Sequence, residues 1–232
     1  MVKICFLGIS VFVETEAINR MWNELVSICE QEDEIEFWLH GCHNLYEKKA
    51  VGVIMDLRAK YPDKRITIVD VVDPVKSERL SIGEMQEKAD GFLKDSVNRF
   101  EYAPRFEGKL YEHRSRFIAQ AQKVDSWMRR QCDYLIAYNY DNLPDSINTF
   151  VKRSKAYTRV TVISVAIPST SKRIDELIDR LEGREKTIVA ELRDGRTARD
   201  IASELGISHN RVKQIASRGA KRIRLQLKME LE

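Results

Sequence analysis

Short apolar runs and helical periodicities take turns along most of the chain. Residues 2–7 form an apolar run that predicts a buried strand. Residues 14–30 follow with Ile18, Met21, Trp22, Leu25, Val26 and Cys29 at helical spacing. Residues 35–39 predict a second strand. A second helix spans 46–60 and stops at Tyr61-Pro62-Asp63, because the residue before a proline is driven out of the helical region. Residues 65–72, dense in Ile and Val, predict a third strand. Residues 75–110 carry Gly83, Gly91 and Gly108 and predict one helix, loops and a short strand at 99–102. A helix over 113–130 places Phe117, Ala121, Val124 and Met128 on one face. Strands at 134–138 and 159–165 flank a helix at 147–155. This alternation predicts right-handed βαβ units, hence an α/β fold: a Rossmann-like parallel sheet with helices on both faces. Sheets of this kind bind ligands at the carboxyl ends of their strands.

The pattern changes at Pro168-Ser169-Thr170-Ser171-Lys172. Beyond this polar break no strand pattern appears. The expected division is an α/β domain over 1–167, a linker over 168–172, and a small all-α domain over 173–232. Ile174, Leu177, Ile178 and Leu181 mark one helix; Ile188, Val189 and Leu192 mark a second, ending at Asp194-Gly195. Thr197-x-x-Asp200 has the capping-box form and opens a third helix, buried through Ala198, Ile201, Ala202 and Leu205. Gly206 suits the left-handed residue of a tight turn. Ile207 is an apolar plug, and Ser208 caps a fourth helix buried through Val212, Ile215 and Ala216.

Charge adds to this picture. The chain of 232 residues has a formal net charge of +3, but residues 179–232 hold 13 Lys/Arg against 9 Asp/Glu. Residues 207–228 contain seven basic side chains and no acidic one, which makes a candidate polyanion surface. With 43% hydrophobic residues a folded core is expected rather than disorder. No apolar run approaches the roughly 18 residues needed to cross a bilayer, and the N-terminus lacks a signal-peptide layout. The cysteines at 5, 29, 42 and 132 are too scattered for a disulfide scaffold or a CxxC zinc site, so a reduced, cytoplasmic setting is expected.

Helix, glycine turn and helix with an outward polar set form a helix-turn-helix. The candidate DNA-binding residues are Thr197, Ser208, His209, Asn210, Arg211, Lys213, Gln214, Ser217, Arg218, Lys221 and Arg222. Arg pairs with guanine, Asn and Gln pair with adenine, and Ser or Lys reach phosphate. Residues 181–224 also resemble region 4 of the sigma-70 family. The resemblance rests on Arg184-Glu185, Gly195-Arg196-Thr197, the run Ile201 to Ser208, the run Arg211 to Ile215, and the basic stretch Lys221 to Arg224. It implies binding to the −35 element of double-stranded promoter DNA and contact with RNA polymerase. No segment resembles the helical unit that melts the −10 element. A transcription regulator that uses region 4 is therefore expected, rather than a self-sufficient sigma factor. Helix-turn-helix domains gain affinity as dimers, so a homodimer is expected. The alternative is a protein-docking module, such as a polymerase-binding adaptor, that keeps the fold without DNA contact.

In the α/β part, Gly8-Ile9-Ser10 ends the first strand, where a small residue lets backbone N–H groups and a hydroxyl approach a phosphate. The second strand ends at His40-Gly41-Cys42-His43, with Glu47 on the helix after it, and Cys132-Asp133-Tyr134 leads through a strand to Tyr138-Asn139-Tyr140-Asp141. Together these residues resemble the SLOG superfamily, Rossmann-like domains related to the DNA-processing protein DprA and the LOG cytokinin-activating enzymes. The resemblance spans residues 2–166 and implies a pocket for a nucleotide-type ligand, carried over onto Gly8, Ser10, Gly41, Glu47 and Asp141. Cys42 and Leu45 stand where the family usually has glycine, and the enzymatic Pro-Gly-Gly-x-Gly-Thr run is absent. These departures favour sensing or a scaffold over catalysis, and no catalytic residue is assigned. A nucleotide-processing enzyme or phage- or stress-defence effector, merely localised by its C-terminal part, stays open as the alternative.

His40, Cys42 and His43 lie too close on one turn to converge on a metal, so no metal site is expected. Asp125 and Asp133 with Arg114 and Arg116 would make either an acid/base set or a solvated helix face. Trp22, Trp38 and Trp127 fall within apolar patterns and are expected in the core.

Overall fold

A computed structural model describes residues 1–8, 13–40, 45–73, 97–105, 107, 116–140, 143–144, 146–155 and 160–231. Six strands are described: β1 (Val2–Gly8), β2 (Glu34–Leu39), β3 (Arg65–Val72), β4 (Arg99–Tyr102), β5 (Tyr134–Tyr138) and β6 (Thr161–Ser164). They form one sheet in the order β4-β3-β2-β1-β5-β6. Every neighbouring pair is parallel, with Val2 opposite Ile35, Cys5 opposite Leu135 and Val69 opposite Arg99. The order reverses at β1, which places β2 on one side and β5 on the other. That is the topological switch point, at the carboxyl side of which sheets of this kind bind ligands.

Strand periodicity sorts the two faces. Ile4 and Phe6 of β1, Phe37 and Leu39 of β2, and Ile136 of β5 point to one face. There α1 (Thr15–Gln31) buries Ala17, Met21 and Leu25, and α2 (Leu45–Lys60) buries Ala50, Ile54 and Leu57. Cys5, Trp38, Val69 and Leu135 point to the other face. This second face packs against Val124 and Met128 of α3 (Arg116–Gln131) and Val151 of α4 (Ser146–Lys155). Both faces are thus covered, as the alternating pattern requires.

Four helices follow: α5 (Pro168–Asp179), α6 (Gly183–Arg193), α7 (Ala198–Glu204) and α8 (His209–Leu231). Residues 168–172, expected as a linker, are helical and start α5. The physical reason is Pro168, whose fixed φ and missing N–H suit the first turn of a helix, the position it occupies. The core is continuous across this point. Val165 and Ile167 share one apolar cluster with Ile174, Leu177 and Ile178 of α5, Val189 of α6, and Ala220, Ile223 and Leu227 of α8. A separate cluster of Ile188, Ile201, Ala202, Val212, Ile215 and Ala216 holds α6, α7 and α8 together. No helix among the described residues is long and apolar enough to cross a membrane.

Candidate nucleic-acid interface and strand-end crevice

The turn between α7 and α8 is built from local hydrogen bonds. Thr197 caps α7, its Oγ1 accepting from Asp200 N at 3.2 Å. At the far end Gly206 has φ +61°, and the Ile207 amide reaches back to Ala202 O at 3.1 Å. This bond closes the helix in the Schellman manner, which needs a left-handed residue at its centre. Ser208 then caps α8, its Oγ accepting from Arg211 N at 3.2 Å. Arg196 braces the approach. It donates to Glu191 at 2.9 Å and Glu204 at 2.6 Å, and the Glu204 bond foremost raises its pKa.

On α8 the buried apolar positions are Val212, Ile215, Ala216, Ala220, Ile223 and Leu227. At about 100° per residue, Asn210, Gln214, Ser217 and Lys221 form a row on the opposite side. Arg211, Lys213, Arg218 and Arg222 flank that row, and all eight are exposed. Thr197 and Ser208 are also exposed, and His209 is half-buried. The structure therefore leaves the expected DNA-binding residues of α8 on its solvent side, while Thr197 and Ser208 also cap α7 and α8. Arg211 donates to Gln214 at 3.4 Å, and Arg222 donates to Glu185 of α6 at 2.6 Å. A shallow groove of about 270 Å³ runs beside the row, with Arg184, Arg211, Arg218 and Arg222 above Ile207 and Ile215. Two features have no local sequence signal. A Cβ on Gly219 would stand 2.7 Å from Val189 Cγ2, so this glycine lets α8 and α6 cross closely. Arg173 of α5 grips Glu230 of α8 with two bonds of 2.7 Å.

Of the expected ligand residues, Ser10, Gly41 and Asp141 lie outside the described residues, as do Cys42 and His43. Gly8 and Glu47 are both at the carboxyl end of the sheet. Gly8 has a structural use: an added Cβ would stand 2.5 Å from Cγ and 2.9 Å from Cε1 of the Tyr46 ring. Glu47 is buried, and its Oε1 accepts from His40 N at 3.3 Å. Burial pushes its carboxyl up to about 8; His40 opposes the shift, and Asp125 and Asp70 add to it. His40 Nδ1 lies 3.1 Å from Asp125 Oδ1. Asp133 instead accepts from Lys3 N at 2.9 Å at the amino end of β1, so Asp125 and Asp133 do not form one site. Trp38 is buried and packs at 5.6 Å on the half-buried Trp127, and Trp22 is half-buried against the core.

At the switch point itself, Tyr46 stacks on Tyr138 at 5.5 Å, and Tyr138 meets Tyr140 edge-on at 5.7 Å. Glu14 collects their hydroxyls: Tyr138 donates to Oε2 at 2.7 Å, and Tyr140 donates to the same oxygen. The Thr170 hydroxyl of α5 donates to Oε1. Burial first, then these polar neighbours, holds both tyrosine pKa values far above the ordinary range. Both therefore remain protonated donors. Nothing in their sequence spacing marks Glu14, Tyr138, Tyr140 and Thr170 as a group.

With this geometry in place, residues 177–225 match the family Sigma-70, region 4. The match spans α6, α7 and most of α8, and it supports a DNA-binding helix-turn-helix of regulatory type in this part of the chain. No curated protein matches the chain.

Proposed function

We propose that the chain is a transcription regulator that grips double-stranded DNA with α8 and uses its α/β part, residues 1–167, to sense a nucleotide-type ligand or to form a homodimer. The observation that carries this reading is the α8 surface. Asn210, Gln214, Ser217 and Lys221 stand opposite the buried row, flanked by Arg211, Arg218 and Arg222, inside the segment that matches Sigma-70, region 4. A helix presenting Asn, Gln and Arg in that way fits the major groove and its donor–acceptor pattern. RNA polymerase is a further partner on this reading, as region 4 contacts it in sigma factors. Selection of bound duplexes from a random pool tests the proposal. A recovered consensus that loses definition at one position in Arg211→Ala supports it, and recovery of no consensus refutes it.

One observation favours a second reading, a nucleotide-processing enzyme. The buried Glu47 carboxyl, titrating near 8 beside the His40–Asp125 pair, has the protonation range of a general acid or base. Release of base or sugar from a panel of nucleotides, abolished in Glu47→Gln, would establish it; no turnover from any of them would reject it.

A further inference from the structure

Glu14 occupies the N-cap position of α1, yet its side chain makes no capping bond to that helix. Its two oxygens are instead turned to three hydroxyls, from Tyr138, Tyr140 and Thr170. Tyr138 ends β5 at the switch point, Tyr140 follows two residues on, and Thr170 lies in the first turn of the helix that leads into the helix-turn-helix. Thr170 and both tyrosines are buried, and the partners lie 124 to 156 residues from Glu14 along the chain. Beside this cluster Arg20 of α1 donates to Ala166 O at 2.6 Å, just before α5 begins. From α5 the connection runs on to α8 through Ile174, Leu177 and Ile178 against Ala220, Ile223 and Leu227, and through the Arg173–Glu230 pair.

We propose that the Glu14–Thr170 contact is a latch between the carboxyl end of the sheet at the switch point and the DNA-gripping helix. Closed, it seats α5 over the carboxyl ends of β1 and β5 and fixes where α8 stands relative to the sheet. The two tyrosine hydroxyls that hold Glu14 are also the donors that an anionic oxygen of a bound ligand would take. Such a ligand therefore competes with Glu14, withdraws it from Thr170 and frees the start of α5. A ligand shifts a two-state element only through different contacts in the two states, and this contact supplies that difference. The DNA consequence rests on the proposed regulator reading; the physical coupling of α5 to α8 does not.

The test uses the full chain with Glu14→Gln, Thr170→Val and both together, and Thr170→Ser as the variant that keeps the hydroxyl. Hydrogen exchange is followed in residues 168–174 and 220–230, and DNA affinity is measured in parallel. The latch predicts about tenfold faster exchange in both segments for each single variant. The double variant adds little to either single change, and Thr170→Ser behaves as wild type. DNA affinity moves in one direction by about fivefold or more in Glu14→Gln and Thr170→Val alike. Exchange that changes only at 168–174, or in neither segment, overturns the latch, as does full additivity in the double variant. A wild-type protein that binds no DNA refutes the regulator reading, and the exchange data then decide the latch alone. Faster exchange in both segments with unchanged DNA affinity overturns the regulatory role.

Discussion

Replacing Gly8 with alanine separates a packing role from a phosphate-cradling one. The new Cβ would stand 2.5 Å from Cγ and 2.9 Å from Cε1 of Tyr46, well inside van der Waals contact. The ring has nowhere to retreat, because Tyr46 is fully buried, stacked on Tyr138 at 5.5 Å and edge-on to Phe6 at 6.4 Å. Relief requires moving the start of α2 away from β1. Overpacking of this kind costs about 1–3 kcal/mol. For a chain of this size that lowers the melting temperature by about 2–12 °C. Thermal unfolding followed by circular dichroism reads the effect directly. In a Tyr46→Ala background the ring atoms that the new Cβ meets are absent, so the same substitution should cost at least about 1 kcal/mol less. If Gly8→Ala melts with wild type, or costs the same in both backgrounds, the packing explanation is wrong. A glycine reserved for ligand backbone contacts then becomes the better account.

Other outcomes follow from the same geometry. Gly206→Ala puts a side chain at φ +61° with open space around it, so only backbone strain acts; a loss of about 1–2 kcal/mol is expected in a melting experiment, and no loss would contradict the turn assignment. Arg211→Ala should weaken binding to a selected duplex by about 1–3 kcal/mol and relax preference at one base position; unchanged affinity removes Arg211 from the interface. The folded state keeps a proton on Glu47 up to about pH 8 that the unfolded chain releases from about 4.5. Its stabilising effect is therefore full below about pH 4.5 and lost as pH rises toward 8. Glu47→Gln removes that loss, so its unfolding free energy should gain on wild type between pH 5 and pH 8, by up to about 1.4 kcal/mol per pH unit; a constant difference would contradict the buried-carboxyl assignment.

Elements that depend on local periodicity were legible in the amino-acid pattern. The edge strand β4 fell at 99–102 and β5 at 134–138, and the capping residues Thr197 and Ser208 start α7 and α8 as their side-chain chemistry predicts. The outward row of α8 followed from spacing alone, because a helix with Val212, Ile215 and Ala216 buried must present Asn210, Gln214 and Ser217 elsewhere. Residues 168–172 misled because Ser and Thr are common both in polar breaks and in first helical turns, and Pro168 suits either. The α/β site was much less legible. Gly8 reads as a ligand glycine in the sequence, and a strand-end glycine is compatible with both uses; its packing use becomes visible only through Tyr46, 38 residues away. Asp125 and Asp133 are eight residues apart yet lie at opposite ends of the sheet, since α3 carries the chain back across it. The Glu14 cluster joins α1, β5 and α5, and no local rule brings those three together.

DNA binding by the full chain is the measurement that bears most directly on the account. Fluorescence anisotropy on duplex pools, at low and high salt, is compared between wild type and the variant Asn210→Ala, Gln214→Ala, Lys221→Ala. These side chains are exposed, so the variant should melt at the wild-type temperature. The account predicts binding that falls steeply with salt, with a log–log slope of about −0.9 for each phosphate neutralised, and a large loss of affinity in the variant. Absence of binding, binding insensitive to salt, or equal affinity in the variant would contradict it, and would point to α8 as a surface for a protein partner instead.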